Sequence, residues 1–469
     1  MSERPDDIPP AVPSTPIDSA VVAAVRRGPD GWELLLGLRS RRSRFFPSHW
    51  ACPGGRVEPV DRPDDPGAFV RCGARELLEE TGVRVPPGDL HPIGVRTTPP
   101  FMKLRYHSPF FLAVVPPATE PLGLPSPEEI EELRFVPARE AVARWEAGTM
   151  LTPPPLPPLF RGLAAAAPAL RPAELAAHLL AEHAEDAKGP RFEVAHGVWF
   201  YPVATATLPP ATHTNVWMPG GTRFVVIDPG CDDPAELDAL LRVVARRRAL
   251  TGAQPHAVLL THHHRDHVAG APALARALGV PVLAHAETLA RVPFEADLDA
   301  RPELTDGARI DLGGIVLVAH ATPGHAPGHV ALEIEGRSLL IAGDLVSGMS
   351  TILVPPDGGD MGAYIASLRR ARALGASRIL PAHGPVLDGG VLARTLAHRA
   401  QREAQVALAF GPAPRALDEI AREAYADTPD AHPVLARMQT LAHLVHLEQR
   451  GEARRMDPAG GAWSAATPA

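Results

Sequence analysis

Residues 261–267 read THHHRDH, placing four of the chain's 21 histidines in one heptapeptide. The apolar run AVLL precedes it and a helical pattern follows, so the fold must deliver a strand whose end opens into a loop, where catalytic groups collect. Alternate residues of extended chain share a face, which points His262 and His264 the same way. Asp266 and His267 then turn into the helix and reach the other side of the same spot. Neutral imidazoles and a carboxylate suit zinc, and a pair of ions needs about six to eight protein ligands. Further ligand types stand downstream, each after an apolar strand and in a tight turn: His325 in ATPGHAPGH, Asp344 ending LLIAGD and His383 ending RILPAHG. A carboxylate such as Asp344 can bridge two metals about 3.5–4 Å apart.

This order resembles the metallo-β-lactamase superfamily, whose HxHxDH signature is matched by His262, His264, Asp266 and His267, followed by His325, Asp344 and His383, over about residues 190–395. The resemblance implies an αββα sandwich with one Zn²⁺ held by His262, His264 and His325. The second would be held by Asp266, His267 and His383, with Asp344 between the two. It also implies that Asp266 and Asp344 position a metal-bridging hydroxide for attack on an electrophile. A family β-lactamase usually has cysteine near the Asp344 position, so the resemblance points away from antibiotic hydrolysis. His263 and His329 match no ligand position; for His329, support of a ligand and a plain structural role stay open. Asp344 and His383 are 39 residues apart, leaving no room for the inserted domain of the β-CASP nucleases. Glyoxalase II enzymes hold the glutathione carboxylate with basic residues that include lysine. Lys103 and Lys188 are the only lysines here, which weakens a thioesterase reading without removing it.

Beyond the last ligand the pattern is helical throughout and ends in a Gly/Arg-rich tail. The run AHRAQREAQVALAF resembles the winged-helix tail of the β-lactamase-like protein 2 family through His398, Arg399, Arg402, Glu403 and Gln405. That family's eukaryotic member is an endoribonuclease on single-stranded RNA, so the resemblance implies phosphodiester hydrolysis. The tail carries eight arginines against eight acidic residues from Ala397 to Met456 and is neutral overall. A packing cap that shapes the mouth of the site is the competing reading.

In the N-terminal part, Glu76, Glu79 and Glu80 fall at i, i+3 and i+4 of a helical pattern. Carboxylates sharing one face repel unless a cation neutralises them, and oxygen-only ligands suit Mg²⁺ or Mn²⁺. With PGGRVE ahead and RELLEETGV through its end, the stretch resembles the Nudix box and implies an α/β/α sandwich with Glu79 and Glu80 catalytic. The first half of the box departs from the pattern: Val60 occupies the glutamate position, Asp61 stands beside it, and 13 residues separate Asp61 from Arg75. The lengthened box looks most like the coenzyme-A-diphosphatase branch.

The expected organisation is an α/β multidomain chain: a Nudix-like domain at 15–150, a Pro/Ala-rich linker and helix at 151–190, a metallo-β-lactamase-fold domain at 191–395 and a winged-helix-like cap at 396–458. Prolines number 54, and their run at 153–158 reads as a semi-rigid exposed spacer. A net charge of −8 excludes a strong chain-wide pull toward nucleic acid or anionic membrane. Three widely spaced cysteines offer no disulfide framework, and no run approaches 18 apolar residues, so a cytoplasmic protein without membrane contact is expected. The leading functional expectation is a dinuclear zinc hydrolase of a single-stranded RNA-like phosphodiester, with a Nudix unit that hydrolyses a CoA-like or nucleoside diphosphate. The alternative is a thioesterase or lactone hydrolase whose Nudix unit is an inactive ligand-binding or scaffolding module.

Overall fold

A computed structural model of the protein describes residues 12–466 apart from 44–45, 101, 103, 123–128, 188–191 and 458–460. Both lysines and the expected boundary at 190–191 lie outside the described residues. The chain divides into two compact units, one of Pro13–Tyr201 with Ala239–Leu250 and one of Pro202–Asp238 with Thr251–Ala469.

In the first unit the strand Ile17–Gly28 pairs antiparallel with Gly31–Arg39 and with Gly54–Arg56, and parallel with Tyr106–Val114. Its small and β-branched residues alternate faces. Ala20, Val22 and Ala24 pack with Cys72 and Leu77 of the helix Ala68–Thr81. Ala23 and Val25 pack on the opposite side with Ala141, Leu159, Phe160 and Leu175. Those residues come from the helices Ala138–Glu146, Leu156–Ala165 and Pro172–Ala187, so the sheet is covered on both faces in the expected α/β/α layering.

This packing corrects the spacer expectation. Leu156, Leu159, Phe160 and Leu163 are at most 8% exposed and belong to the core of the first unit. Proline does not prevent this, because Pro157 and Pro158 occupy the first helical turn, where the missing N–H has no partner to lose. The Pro-rich composition masked a short apolar stripe at helical spacing.

The second unit contains two sheets. In one, Arg223–Ile227, Gln254–Leu259, Val282–Leu283 and Ala300–Arg301 run parallel, with His213–Pro219 antiparallel beside the first. The other follows chain order through Arg309–Asp311, Val316–Ala321, Val330–Ile334, Leu339–Gly343, Arg378–Pro381 and Leu387–Asp388. Only Leu339–Gly343 and Arg378–Pro381 pair in parallel there, and the helix Met361–Ala373 makes that crossover. Its Tyr364, Leu368 and Ala371 pack on Ala331, Leu340 and Ala342. Strands buried on both faces read as unbroken apolar runs, as FVVI and LLIAG do.

The C-terminal part is not wholly helical. Helices Val391–Leu408, Leu417–Ala424 and Pro433–Gln449 share a core with Trp463, which is fully buried. Trp463 lies on the strand Ala462–Ala465, which pairs with Arg415–Ala416 and with Ala453–Arg455. Strands of two to four residues are too short to show alternation in sequence, and one buried indole anchors the tail instead. No helix among the described residues is long and apolar enough to cross a membrane.

Candidate metal centre

Each of the seven expected ligands follows the carboxyl end of a strand. His262, His264, Asp266 and His267 follow Gln254–Leu259, His325 follows Val316–Ala321, Asp344 follows Leu339–Gly343, and His383 follows Arg378–Pro381. All seven are at most 9% exposed. They converge as three overlapping groups whose nitrogen and oxygen atoms lie within 4.8 Å of one another: His262–His264–His325, His262–His267–Asp344 and Asp266–His267–His383. Asp344 faces both ends of the cluster. Its Oδ2 is 3.5 Å from His325 Nε2 and its Oδ1 is 3.4 Å from His383 Nε2.

The donors suit a cation. His264 Nδ1 lies 2.9 Å from His262 Nε2 and 2.8 Å from His325 Nε2, so three imidazole nitrogens meet at one point. The outer nitrogens of four rings have partners: His262 Nδ1 on Thr261 Oγ1 (3.0 Å), His267 Nδ1 on Asp228 (3.0 Å), His325 Nδ1 on the Leu353 carbonyl (2.6 Å) and His383 Nδ1 on the His213 carbonyl (2.9 Å). Such partners fix the tautomer that leaves each Nε2 lone pair facing inward. His267 Nε2 and Asp344 Oδ1 are buried at the centre without a hydrogen-bond partner, a costly arrangement that a cation would relieve.

Electrostatics agree. Burial holds His262 and His264 well below the ordinary imidazole range. Burial acts in the same sense on His383, but Asp344 and Asp266 outweigh it and raise that group to about 10. Asp266, Asp344 and Asp228 likewise hold His267 above its ordinary value despite its burial. Protons thus stand where the carboxylates demand positive charge, and metal binding would displace them.

The sequence reading missed one supporting residue, Asp228, and left a second, His329, open. Asp228 follows RFVVI in a left-handed conformation (φ 55°) and accepts from Thr261 N (2.8 Å), Thr261 Oγ1 (2.7 Å) and His267 Nδ1. The signal available was the DPG turn after an apolar strand. A Cβ on Gly230 of that turn would stand 1.7 Å from the Asp266 carbonyl, so only glycine lets it approach the histidine loop. His329, left open above, accepts the Asp344 backbone N–H at Nε2 (3.1 Å) and pairs with Thr322 through Nδ1 (2.8 Å). Burial lowers it to about 3, which keeps it neutral for that task. His263 lies outside the three groups, with its ring against His262 and His264.

In the first unit the lengthened box closes through space. Arg75 Nη2 lies 2.8 Å from Asp61 Oδ2 and Nε lies 3.1 Å from Oδ1, so Asp61 holds this arginine across the extra residues. Arg75 Nη1 donates to both Glu76 and Glu79 at 2.8 Å. Glu80 accepts from Gly54 N (2.9 Å), and burial pushes it up to about 7. Among the described residues, the groups close enough to hold a metal all lie in the second unit, so Glu76, Glu79 and Glu80 share a helix without converging as those do.

The chain matches the NUDIX domain family over residues 17–152 and the Metallo-beta-lactamase superfamily over residues 208–383. It therefore joins a NUDIX domain to a metallo-beta-lactamase superfamily domain. The chain is 43% identical over 112 residues to a hydroxyacylglutathione hydrolase of Anaeromyxobacter dehalogenans, covering 24% of this chain and 39% of that one. It also resembles the beta-lactamase-like protein 2 homologs of Caenorhabditis elegans (27% identity; 46% of this chain, 72% of that one) and Drosophila melanogaster (29%; 51% and 84%). The chain thus spans well under half of the first relative and most of the other two. A Beta-lactamase domain protein from Burkholderia ambifaria shares the fold, with a TM-score of 0.51 at 24% identity over 60% of this chain and 94% of that one.

Proposed function

We propose that the metallo-beta-lactamase domain is a two-metal hydrolase, with one Zn²⁺ held by His262, His264 and His325 and another by Asp266, His267 and His383. The observation that carries this reading is Asp344, whose two oxygens face His325 and His383 at 3.5 and 3.4 Å while Oδ1 lacks a hydrogen-bond partner. A nitrogen-rich donor set favours zinc over Mg²⁺. Two such ions would supply Lewis acidity and activate water near neutral pH. The chain's own part is to orient: Asp228, Thr261 and His213 fix the ring tautomers, and His329 fixes the backbone of Asp344.

A single-stranded RNA-like phosphodiester is the substrate class we favour. An open cavity of about 190 Å³ is lined by Ser347, Thr351, Arg394, Thr395 and His398. Of its lining residues, Ser347 directs its hydroxyl at the His383 carbonyl at 3.5 Å. Hydroxyls and an imidazole suit a sugar-phosphate, while the Arg394 guanidinium is paired with Asp388 at 2.6 Å. The likeness to the beta-lactamase-like protein 2 homologs supports the same reading. So does the C-terminal element, whose helix–strand–helix–helix–strand–strand order is that of a winged helix. Thioester hydrolysis is the second reading, favoured by the 43% identity to a hydroxyacylglutathione hydrolase. For the NUDIX domain we propose Mg²⁺- or Mn²⁺-dependent hydrolysis of a CoA-like or nucleoside diphosphate through Glu76, Glu79 and Glu80. The Asp61–Arg75 pair supports that activity, and an inactive binding module is the alternative. Zinc-loaded protein and a His262→Ala control, incubated with single-stranded RNA and with a panel of acyl thioesters, decide between the zinc readings. Cleavage of neither class by the wild type overturns both.

A further inference from the structure

Three consecutive carbonyls in the loop after Asp344 are each engaged by a different donor. Ile352 O accepts from Arg399 Nη2, Leu353 O from His325 Nδ1 at 2.6 Å and Val354 O from Gln439 Nε2 at 3.2 Å. Arg399 Nη1 also donates to Gln439 Oε1 at 2.6 Å, which makes the two outer donors one linked unit. Arg399 is 1% and Gln439 7% exposed, and they come from two different helices of the C-terminal element, Val391–Leu408 and Pro433–Gln449. The guanidinium also lies 5.2 Å from the centroid of the Tyr364 ring, whose Oη donates to the Leu345 carbonyl at 2.8 Å.

We infer that Arg399 and Gln439 are positioning residues for the metal centre, acting through the Leu353 carbonyl on the ring of His325. The inference rests on the reading of His325 as a ligand. Each peptide plane is rigid and joins its neighbours only through φ and ψ. Anchoring the planes on either side sets where the Leu353 plane sits and leaves it only a coupled rotation that would break its bond to His325. Pinning Ile352 O and Val354 O therefore fixes the direction in which Leu353 O accepts from His325. That bond in turn sets the Nδ1–H tautomer and leaves the Nε2 lone pair facing His264. Burying a guanidinium on neutral partners is costly, so packing alone is a poor reason for it. Arg402 supplies the contrast. It is equally buried, at 5% exposed, but its partners are Ala424 O, Asp427 (3.0 Å) and Thr428 (3.1 Å), all within the C-terminal element. The motif arginines thus divide between one that reaches the metal loop and one that ties the element to itself.

The test uses the full chain with Arg399→Lys, Gln439→Leu and Arg402→Lys. Zinc affinity is read by chelator competition, and the His325 tautomer by long-range ¹⁵N–¹H histidine spectra of metal-stripped protein, assigned with His325→Gln. We expect Arg399→Lys and Gln439→Leu to weaken one of the two zinc ions by about 10–100-fold and to mix the His325 tautomers, with Arg402→Lys changing neither. Should Arg399→Lys not fold, Gln439→Leu, which keeps the guanidinium, gives the same reading. Unchanged affinity and tautomer in Gln439→Leu, or an equal loss in Arg402→Lys, would overturn the inference. A wild type that binds no zinc would overturn the ligand reading instead, while the tautomer spectra still judge the clamp.

Discussion

Asp344 is the residue on which the two proposed metal subsites depend, because each of its oxygens faces a different histidine. Replacing it with alanine removes the shared ligand and one of the three carboxylates that hold His267 protonated without metal. We expect bound zinc to fall below two per chain by elemental analysis, and turnover to fall more than about 100-fold, with the far-UV spectrum retained. The seven candidate ligands were legible as residues at strand ends, since period and spacing decide which side chains leave a strand together. Their supports were not. Asp228 and His329 act across 39 and 15 residues of chain, on His267 and Asp344, and beyond the DPG turn that marks Asp228 nothing local shows which group each one holds. The same holds for Asp61, whose partnership with Arg75 exists only because the chain between them loops back.

Elements show where composition misleads. The helix Leu156–Ala165 sits inside a Pro-rich stretch, yet Phe160 is fully buried among Leu34, Leu159 and Leu163. We expect Phe160→Ala to destabilise the first unit by about 3–5 kcal/mol in urea titrations, where a truly exposed spacer residue would change stability by less than about 0.5 kcal/mol. The C-terminal helices carry a second test. Glu403 on Val391–Leu408 faces His443 (3.3 Å), His446 (2.7 Å) and Arg450 (3.0 Å). Burial would raise its pKa, but hydrogen bonds from the two histidines outweigh that and bring it from 4.5 to about 2. A carboxylate depressed on folding contributes stability above its unfolded pKa and loses it as pH falls through the folded value. Glu403→Gln should therefore cost about 2 kcal/mol at pH 7, and the difference from wild type should shrink between pH 4.5 and about 2. Amide exchange in the helix Pro433–Gln449 at both pH values measures it.

At the scale of the molecule, two hydrolase-type domains with unlike ligand chemistry share one chain. Nitrogen-rich and oxygen-only sites select different ions, so the activities should separate by mutation. We expect Glu79→Gln to abolish Mg²⁺-dependent diphosphate hydrolysis and leave zinc-dependent activity intact, and Asp344→Ala to do the reverse. Assays of both variants on both substrate classes check this, and loss of both activities in either variant contradicts it. What the sequence by itself determined was the class of each half and the candidate ligand residue types, because strand–loop–helix patterning and i, i+3, i+4 spacing are local properties of the chain. Only tertiary structure decided which distant groups complete them. Asp344 lies between two histidine sets, Arg75 is held by a displaced carboxylate, a Pro-rich stretch joins a core, and Arg399 reaches the metal loop. Each of these depends on residues far apart in sequence meeting in a buried setting, where an unpaired polar group is costly and an apolar stripe is worth covering.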